Sequence, residues 1–336
     1  MFQIFVVILQ REIKLAKVNP LLIPKTDNIM KKVYFLLAAV VIAFAACNEN
    51  SPSSSKKGSD VKAVVNENYV AKPFTVNAQG KKIVFSQGNL QYNLSGKAFV
   101  FAAHQYDIVG NDNKALIDAS VETDWIDFFG YGTGDAPTKI SSENSDYAMF
   151  NDWGENKILN GGNAANVWRT INRDEFHYIL CSRANCEKLR GFGNIQSFGG
   201  MILLPDNWVK PDGVDFLYDG YLNDQEQPQN TNFNTNSYTK ESWKLMEAAG
   251  AVFFPAAGHI SWQHLGLQHF YLAQVGENAA YWTSTPEGGT SAYRVAIDDY
   301  MGKDYYYDWS YLSYLSSKRY DERRYHFCVR LVKDAE

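Results

Sequence analysis

The chain has 336 residues, of which 46% are hydrophobic and 21% charged, so it can bury a sizeable core without metal ions or disulfides. A formal net charge of -5 and the absence of a Lys/Arg-rich face argue against a nucleic-acid partner, because the phosphate backbone requires a basic surface. Aromatic residues make up 15% of the chain, with 21 Tyr and 20 Phe, and this composition is typical of proteins rich in β structure.

Residues 30–46 have the pattern of an export signal. Met30-Lys31-Lys32 is a short basic start, and an apolar run follows from Val33 to Ala46. The run ends in Ala45-Ala46-Cys47, which resembles the lipobox of bacterial lipoproteins. The resemblance implies that Cys47 receives the lipid and anchors the protein to a membrane. A transmembrane anchor is the alternative, although the run is short of the roughly 20 apolar residues that a span needs.

The signal divides the chain into segments. Residues 1–29 precede its basic start, and we interpret them as an over-extended N-terminus. Residues 47–72 contain the lipidated Cys and a Ser-rich polar stretch, which cannot bury apolar area and is expected to form a flexible tether. The globular domain is then residues 73–336. The predicted location is the outer membrane, lipid-anchored, on the cell surface or the periplasmic face.

The first elements of the domain are predicted strands. Short apolar runs at residues 82–86, 89–93 and 98–102 are separated by Gln87-Gly88 and Ser95-Gly96, which supply turns. An antiparallel meander is the expected arrangement. The segment from Gly110 to Gly162 is rich in Gly, Asn and Asp and is predicted to be mainly loop.

Two helices follow from capping patterns. Asn172 with Glu175 three residues later forms a capping-box sequence, and Phe176, Ile179 and Leu180 make the buried stripe of the first helix. The second helix is predicted from about residue 240 to 249, with Thr239 as its cap and Gly250 as its left-handed stop.

Further strands are predicted at residues 251–254, 281–284, 292–297 and 325–332. In the last of these, alternation places Phe327, Val329 and Leu331 on one face and His326, Cys328 and Arg330 on the other. Two helices among many short strands, without a βαβ rhythm, indicate the α+β class.

Several blocks of the sequence are similar to a known fold. Trp168-Arg169-Thr170 followed by Asp174-Glu175-Phe176-His177-Tyr178 resembles the R-L-P-T-x-x-E-W-E-Y block of the formylglycine-generating-enzyme type of C-type-lectin-like fold. Tyr281-Trp282-Thr283-Ser284 resembles its W-S-S strand, and residues 327–332 resemble its closing G-F-R-L-V strand. Residues 74–332 as a whole are similar to a large paralogous group of Bacteroidetes lipoproteins.

This resemblance implies small antiparallel sheets, two flanking helices and long loops that form a ligand face. Function in this superfamily resides in the loops, so the fold names no activity. The related enzymes use a Cys pair in the C-terminal part of the domain. Cys181, Cys186 and Cys328 do not match that pair, so we expect no enzymatic activity and no cofactor. A divergent enzyme using Cys328 is an alternative, and Cys181 and Cys186 either form a bridge or are small buried residues.

No metal site is expected. His259, His264 and His269 recur at five-residue intervals, which is not the spacing of a zinc protease, and they lack a Cys or carboxylate at ligand spacing. Asp298-Asp299 could offer oxygen ligands to Ca²⁺, but solvated loop carboxylates are the commoner case. The E-P-N and W-N-D sequences of Ca²⁺-dependent lectins are absent.

The stretch before the closing strand is the predicted binding site. Tyr, Asp and Ser are the residues of binding loops, since Tyr supplies rigid contact area together with a hydroxyl group. The predicted ligand-binding residues are Tyr300, Asp304, Tyr305, Tyr306, Tyr307, Asp308, Trp309, Tyr311, Tyr314 and Tyr320. A β-hairpin with half-buried tyrosines is the alternative structure.

The sequence thus predicts an exported lipoprotein that binds an extracellular or periplasmic protein or glycan through this Tyr-rich stretch. The composition also fits C-type-lectin-like proteins diversified by retroelements, whose variable residues occupy this place. A structural component of a surface or fimbrial assembly is a further alternative.

Overall fold

The computed structural model describes residues 69–218, 232–263, 268–298 and 315–335. Two α-helices lie in this part of the chain, α1 (Arg173–Cys181) and α2 (Lys240–Ala248). The strands are β1 (Phe74–Thr75), β2 (Lys82–Phe85), β3 (Leu90–Asn93), β4 (Ala98–Phe101), β5 (Trp125–Ile126), β6 (Phe129–Gly130), β7 (Arg169–Thr170), β8 (Arg190–Ile195), β9 (Phe198–Leu203), β10 (Ser237–Tyr238), β11 (Val252–Pro255), β12 (His259–Gln263), β13 (His269–Ala273), β14 (Asn278–Glu287), β15 (Ser291–Asp298), β16 (Leu315–Glu322), β17 (His326–Phe327) and β18 (Leu331–Asp334).

Both helices begin at the predicted caps. The Asn172 side chain accepts a hydrogen bond from the Glu175 amide at 2.9 Å, and the Glu175 carboxylate accepts one from the Asn172 amide at 3.3 Å. Thr239 caps α2 in the same way, accepting from the Ser242 amide at 3.2 Å. Gly250 follows α2 with φ of +91°, a conformation that favours glycine. Both capping predictions are confirmed.

The strands form small sheets. Their orders are β1-β2-β18-β7, β10-β8-β9-β11, β13-β12-β17-β6, β14-β15-β16 and β4-β3-β5. The strand pairs are antiparallel, apart from the parallel pair of β8 with β10. The segment from Gly110 to Gly162 contributes three 3₁₀ turns (Gly110–Leu116, Asn144–Tyr147 and Trp153–Glu155) and two strands of two residues. The architecture is α+β, as predicted.

The predicted meander is correct only in part. Strands β3 and β4 form the expected antiparallel hairpin, with Leu90 opposite Phe101. Strand β2 instead pairs with β1 and with β18, from the end of the chain. The reason is that Phe85 packs in a core cluster with Phe74, Phe176 and Phe254, whereas Leu90 belongs to a second cluster.

The closing segment from His326 to Val332 separates these two clusters. Phe327, Val329 and Leu331 pack in the cluster with Trp153 and Trp282. Cys328 and Val332 pack on the other side, in the cluster with Phe85 and Phe254. The segment is two short strands joined at residues 328–330, and all its side chains are buried. Side chains at alternate positions of this segment therefore pack in two different cores, whereas a single apolar face was predicted from the sequence.

Helix α2 covers a third cluster. Its Trp243 and Met246 pack on Ile202 and Phe253 of the β8–β9–β11 sheet. None of the helices in the described residues is both long and apolar enough to cross a bilayer. Residues 30–46 and Cys47 lie outside the described residues, so the signal and lipidation remain predictions.

Candidate functional site

Most of the predicted binding residues lie outside the described part of the chain. These are Tyr300, Asp304, Tyr305, Tyr306, Tyr307, Asp308, Trp309, Tyr311 and Tyr314. Tyr320 is described, and it lies in β16 with 54% of its surface exposed. The strands β15 and β16 lead into and out of residues 299–314, so we call the three-stranded sheet β14-β15-β16 the stem.

An aromatic cluster lies on the stem, with Tyr320 exposed and Tyr293 partly buried. Tyr293 of β15 is directly opposite Tyr320 of β16, with ring centroids 5.9 Å apart and an interplanar angle of 80°. The Arg173 guanidinium lies 5.1 Å from the centroid of the Tyr293 ring. A hydrogen bond with Glu287 raises the pKa of Tyr293. The cluster combines two phenols with a cation, which is chemistry suited to directional contacts.

Helix α1 positions one edge of this cluster. Arg173 is its first residue, and the Arg173 amide donates to the Thr285 hydroxyl of β14 at 3.0 Å. Both faces of β15 contribute to the core, since Ala292 packs in one cluster and Val295 and Ile297 pack in the other, all three fully inaccessible to solvent. The stem is therefore fixed by the core beneath it.

Arg323 connects the stem to a neighbouring loop through hydrogen bonds. This buried guanidinium donates to the backbone oxygens of Ser291 at 3.0 Å, Gly288 at 2.9 Å and Ala148 at 3.2 Å. Its Cζ lies 5.3 Å from the Tyr131 ring centroid. Several backbone carbonyls thus stabilise one buried cation, and the turn between β14 and β15 is held in one position.

A second feature is an open groove of about 500 Å³ beside the β12–β13 hairpin. We call it the Trp262 groove. Its lining residues are Ala115, Leu116, Ile117, Asp118, Ala119, Ile140, Trp262, His269 and Phe270. The β12–β13 hairpin was not predicted from the sequence, although the apolar residues at alternate positions, Ile260 and Trp262 in one strand and Phe270 and Leu272 in the other, were the available signal.

The surroundings of Cys328 do not favour thiol chemistry. Its side chain is fully buried, and burial raises the pKa of the thiol well above its ordinary value, with the nearby Asp127 carboxylate acting in the same direction. A nucleophilic cysteine needs the opposite, a lowered pKa and access to solvent. Within the described residues, Cys181, Cys186 and Cys328 form no disulfide, so a Cys181–Cys186 bridge is not formed.

The histidines are placed apart. His259 is in β12, His269 is exposed at the start of β13, and His264 lies outside the described residues. Burial lowers the pKa of His259 to about 3. In the described ranges no group of three or more His, Cys, Asp or Glu side chains could hold a metal ion. Asp298 ends β15, and Asp299 is outside the described residues.

Comparison of the chain with protein-family models, with curated proteins and with solved structures finds no match.

Proposed function

We propose that the protein is an exported lipoprotein, anchored through Cys47, that binds a protein or glycan ligand through its Tyr-rich segment from Tyr300 to Tyr320. The observation that carries the proposal is the exposed position of Tyr320 opposite Tyr293 on the stem. Aromatic side chains at the base of a binding loop offer contact area whose loss of conformational freedom is small.

The fold proposed for this body is the C-type-lectin-like fold. Two features support it. The block from Trp168 to Tyr178 forms β7 and α1, and Arg169 makes a bidentate ion pair with Glu175 at 2.7 and 2.8 Å. The Tyr281–Ser284 strand lies beside the closing segment, where the Trp282 amide donates to the Cys328 carbonyl at 3.0 Å.

The binding proposal is tested by replacing Tyr305, Tyr306 and Trp309 together with Ala. We expect binding on protein and glycan arrays to be lost while the melting temperature changes little, because the core clusters beneath the stem are left intact. The matched control replaces three exposed aromatic residues elsewhere, Phe198, Tyr218 and Tyr271. An unchanged array profile in the first variant, or an equal loss in the control, would contradict the proposal.

The anchor is tested separately. In a bacterial host that processes lipoproteins, the wild-type chain should incorporate a labelled fatty acid and lose residues 30–46, and the Cys47→Ser variant should do neither. Mass spectrometry of the mature N-terminus reads both outcomes. A wild-type chain that keeps residues 30–46 without lipid would overturn this part of the proposal.

A further inference from the structure

The Trp262 groove has the dimensions of a small-molecule site. Its volume of about 500 Å³ falls within the range of roughly 300–1,000 Å³ that such sites span. One wall is the 3₁₀ turn Gly110–Leu116 with the three residues after it, and the other is the β12–β13 hairpin. The two walls differ in chemistry, one being polar at Asp118 and the other aromatic.

The aromatic wall is held in a fixed orientation. The Trp262 and Phe270 rings meet edge to face, with centroids 4.7 Å apart and an interplanar angle of 70°. The Arg324 guanidinium lies 5.2 Å from the Trp262 ring centroid and is itself held by Glu322 at 2.8 and 2.9 Å. The indole is thus a preformed platform, and a ligand that contacts it need not order it.

The polar wall presents a carboxylate that already has hydrogen-bond and ionic partners. Asp118 accepts hydrogen bonds from the Ser120 amide at 3.0 Å and the Ser120 hydroxyl at 2.6 Å, and it pairs with Lys114 at 3.2 Å. The Ser120 hydrogen bonds lower the pKa of Asp118 to about 2, so it is a carboxylate at any physiological pH. A carboxylate has four acceptor sites, more than these donors use, and it can still accept from ligand hydroxyl groups.

Charge and exposure decide among ligand classes. A cationic ligand would compete with Lys114 for Asp118 and with Arg324 for Trp262. An anionic ligand would meet the Asp118 carboxylate. A wholly apolar ligand would stay largely in water, because the groove is open and its aromatic residues Trp262 and Phe270 are only half buried. A neutral ligand with an apolar face and several hydroxyl groups meets none of these difficulties.

We propose that the Trp262 groove binds a neutral saccharide, with a sugar ring against Trp262 and Phe270 and hydroxyl groups donating to Asp118. The residues that carry this proposal are not part of the Tyr-rich segment, and the proposal does not depend on the function proposed for that segment.

The experiment titrates the full-length chain with neutral hexasaccharides of glucose, of mannose and of N-acetylglucosamine, followed by calorimetry. We expect at least one to bind, Trp262→Ala to weaken that binding by about tenfold or more, and Asp118→Ala to weaken it as well. Asp118 is at the surface, so its variant remains informative if Trp262→Ala does not fold. Tyr271→Ala is the matched control, since this aromatic residue is in the same hairpin, is exposed and does not line the groove.

Independence from the Tyr-rich segment is read from the Tyr305, Tyr306 and Trp309 triple variant, which should bind the hexasaccharide as the wild type does. Absence of binding by all three hexasaccharides at about 10 mM would overturn the proposal. So would binding that is unchanged in both Trp262→Ala and Asp118→Ala, or binding of tetramethylammonium in place of the sugars.

Discussion

Burial shifts the pKa values of titratable residues in this protein, and the direction of the shift depends on the sign of the residue's charge. Burial lowers the pKa of His326 to about 4 and raises the pKa of Asp127 to about 6, because in each case it disfavours the charged form. The Nε2–H of His326 donates a hydrogen bond to the Lys139 carbonyl oxygen at 2.8 Å. Asp127 accepts from the Asn113 amide group at 2.6 Å and from the Val109 amide at 2.9 Å.

The consequence for His326 is a loss of stability in mild acid. In the unfolded chain His326 binds a proton below its ordinary pKa of 6.5, whereas in the folded chain it stays neutral down to about pH 4. Replacing His326 by Gln keeps a side-chain N–H and removes this titration. The fall in unfolding free energy between pH 6.5 and 5 should therefore be smaller than in the wild type by about 1.5 kcal/mol, as measured by urea denaturation.

Asp127→Asn serves as the control of opposite sign. The folded chain takes up a proton at Asp127 near pH 6, and the unfolded chain does so only near 3.8, so wild-type Asp127 gains stability as the pH falls through this window. The variant lacks that gain, and its unfolding free energy should fall more steeply on acidification. Equal slopes in the wild type and both variants would show that burial does not shift these pKa values.

The β8–β9 hairpin shows why an element can escape a pattern-based prediction. The hairpin contains Gly191, Gly193, Gly199 and Gly200, and glycines are unfavourable in strands. A Cβ on Gly199 would lie 2.1 Å from the Phe233 ring, and one on Gly200 would lie 2.3 Å from the Phe254 carbonyl oxygen. The glycines are required by the close approach of other segments, which local sequence does not reveal.

The close approach at Gly199 gives a prediction for this element. Gly199→Ala should lower the unfolding free energy by about 1–3 kcal/mol or more, since the Phe233 ring would have to move. Gly289→Ala is the matched control, because a Cβ there meets no atom within 4 Å, and its effect should be within about 0.5 kcal/mol. Thermal or urea unfolding measures both. Equal effects would mean that Phe233 does not pack on Gly199.

The whole molecule is organised around the closing segment that separates the two main core clusters. Arg330 lies in this segment with 1% of its surface exposed. It donates to the Asn89 and Gln105 side chains at 3.3 Å each and lies 5.6 Å from the Phe254 ring centroid. Burial lowers the pKa of Arg330, and the negative charge of Glu247 in α2 opposes that shift. Asn89, Gln105 and Phe254, from distant parts of the chain, thus contact one buried cation.

Removing the Arg330 charge alone should lower the unfolding free energy more than removing the charges of Arg330 and Glu247 together. Arg330→Met removes the buried cation whose charge acts on Glu247, itself 2% exposed, and we expect a loss of about 3–5 kcal/mol in unfolding free energy. Adding Glu247→Met removes the second buried charge as well and should recover part of that loss. A double-mutant cycle by denaturant unfolding measures the coupling, and strictly additive effects would refute an interaction between the two residues.

The sequence alone determined the elements whose signals are local. Asn172 and Thr239 begin their helices through hydrogen bonds to residues three positions away, and Gly250 ends α2 through its own backbone conformation. Strands β11, β14 and β15 were also predicted, because apolar and aromatic residues concentrate in them. Tyr320 is exposed, and its place in a binding site stays a prediction.

Only the tertiary structure decided which strands pair and which surfaces form. The pairing of β2 with β18 joins residues from opposite ends of the domain, and no local preference specifies it. The Trp262 groove likewise brings Asp118 to residues near 262 and 270, more than a hundred positions along the chain. Pairing and grooves depend on burial of side chains that are distant in sequence, so they are properties of the packed molecule.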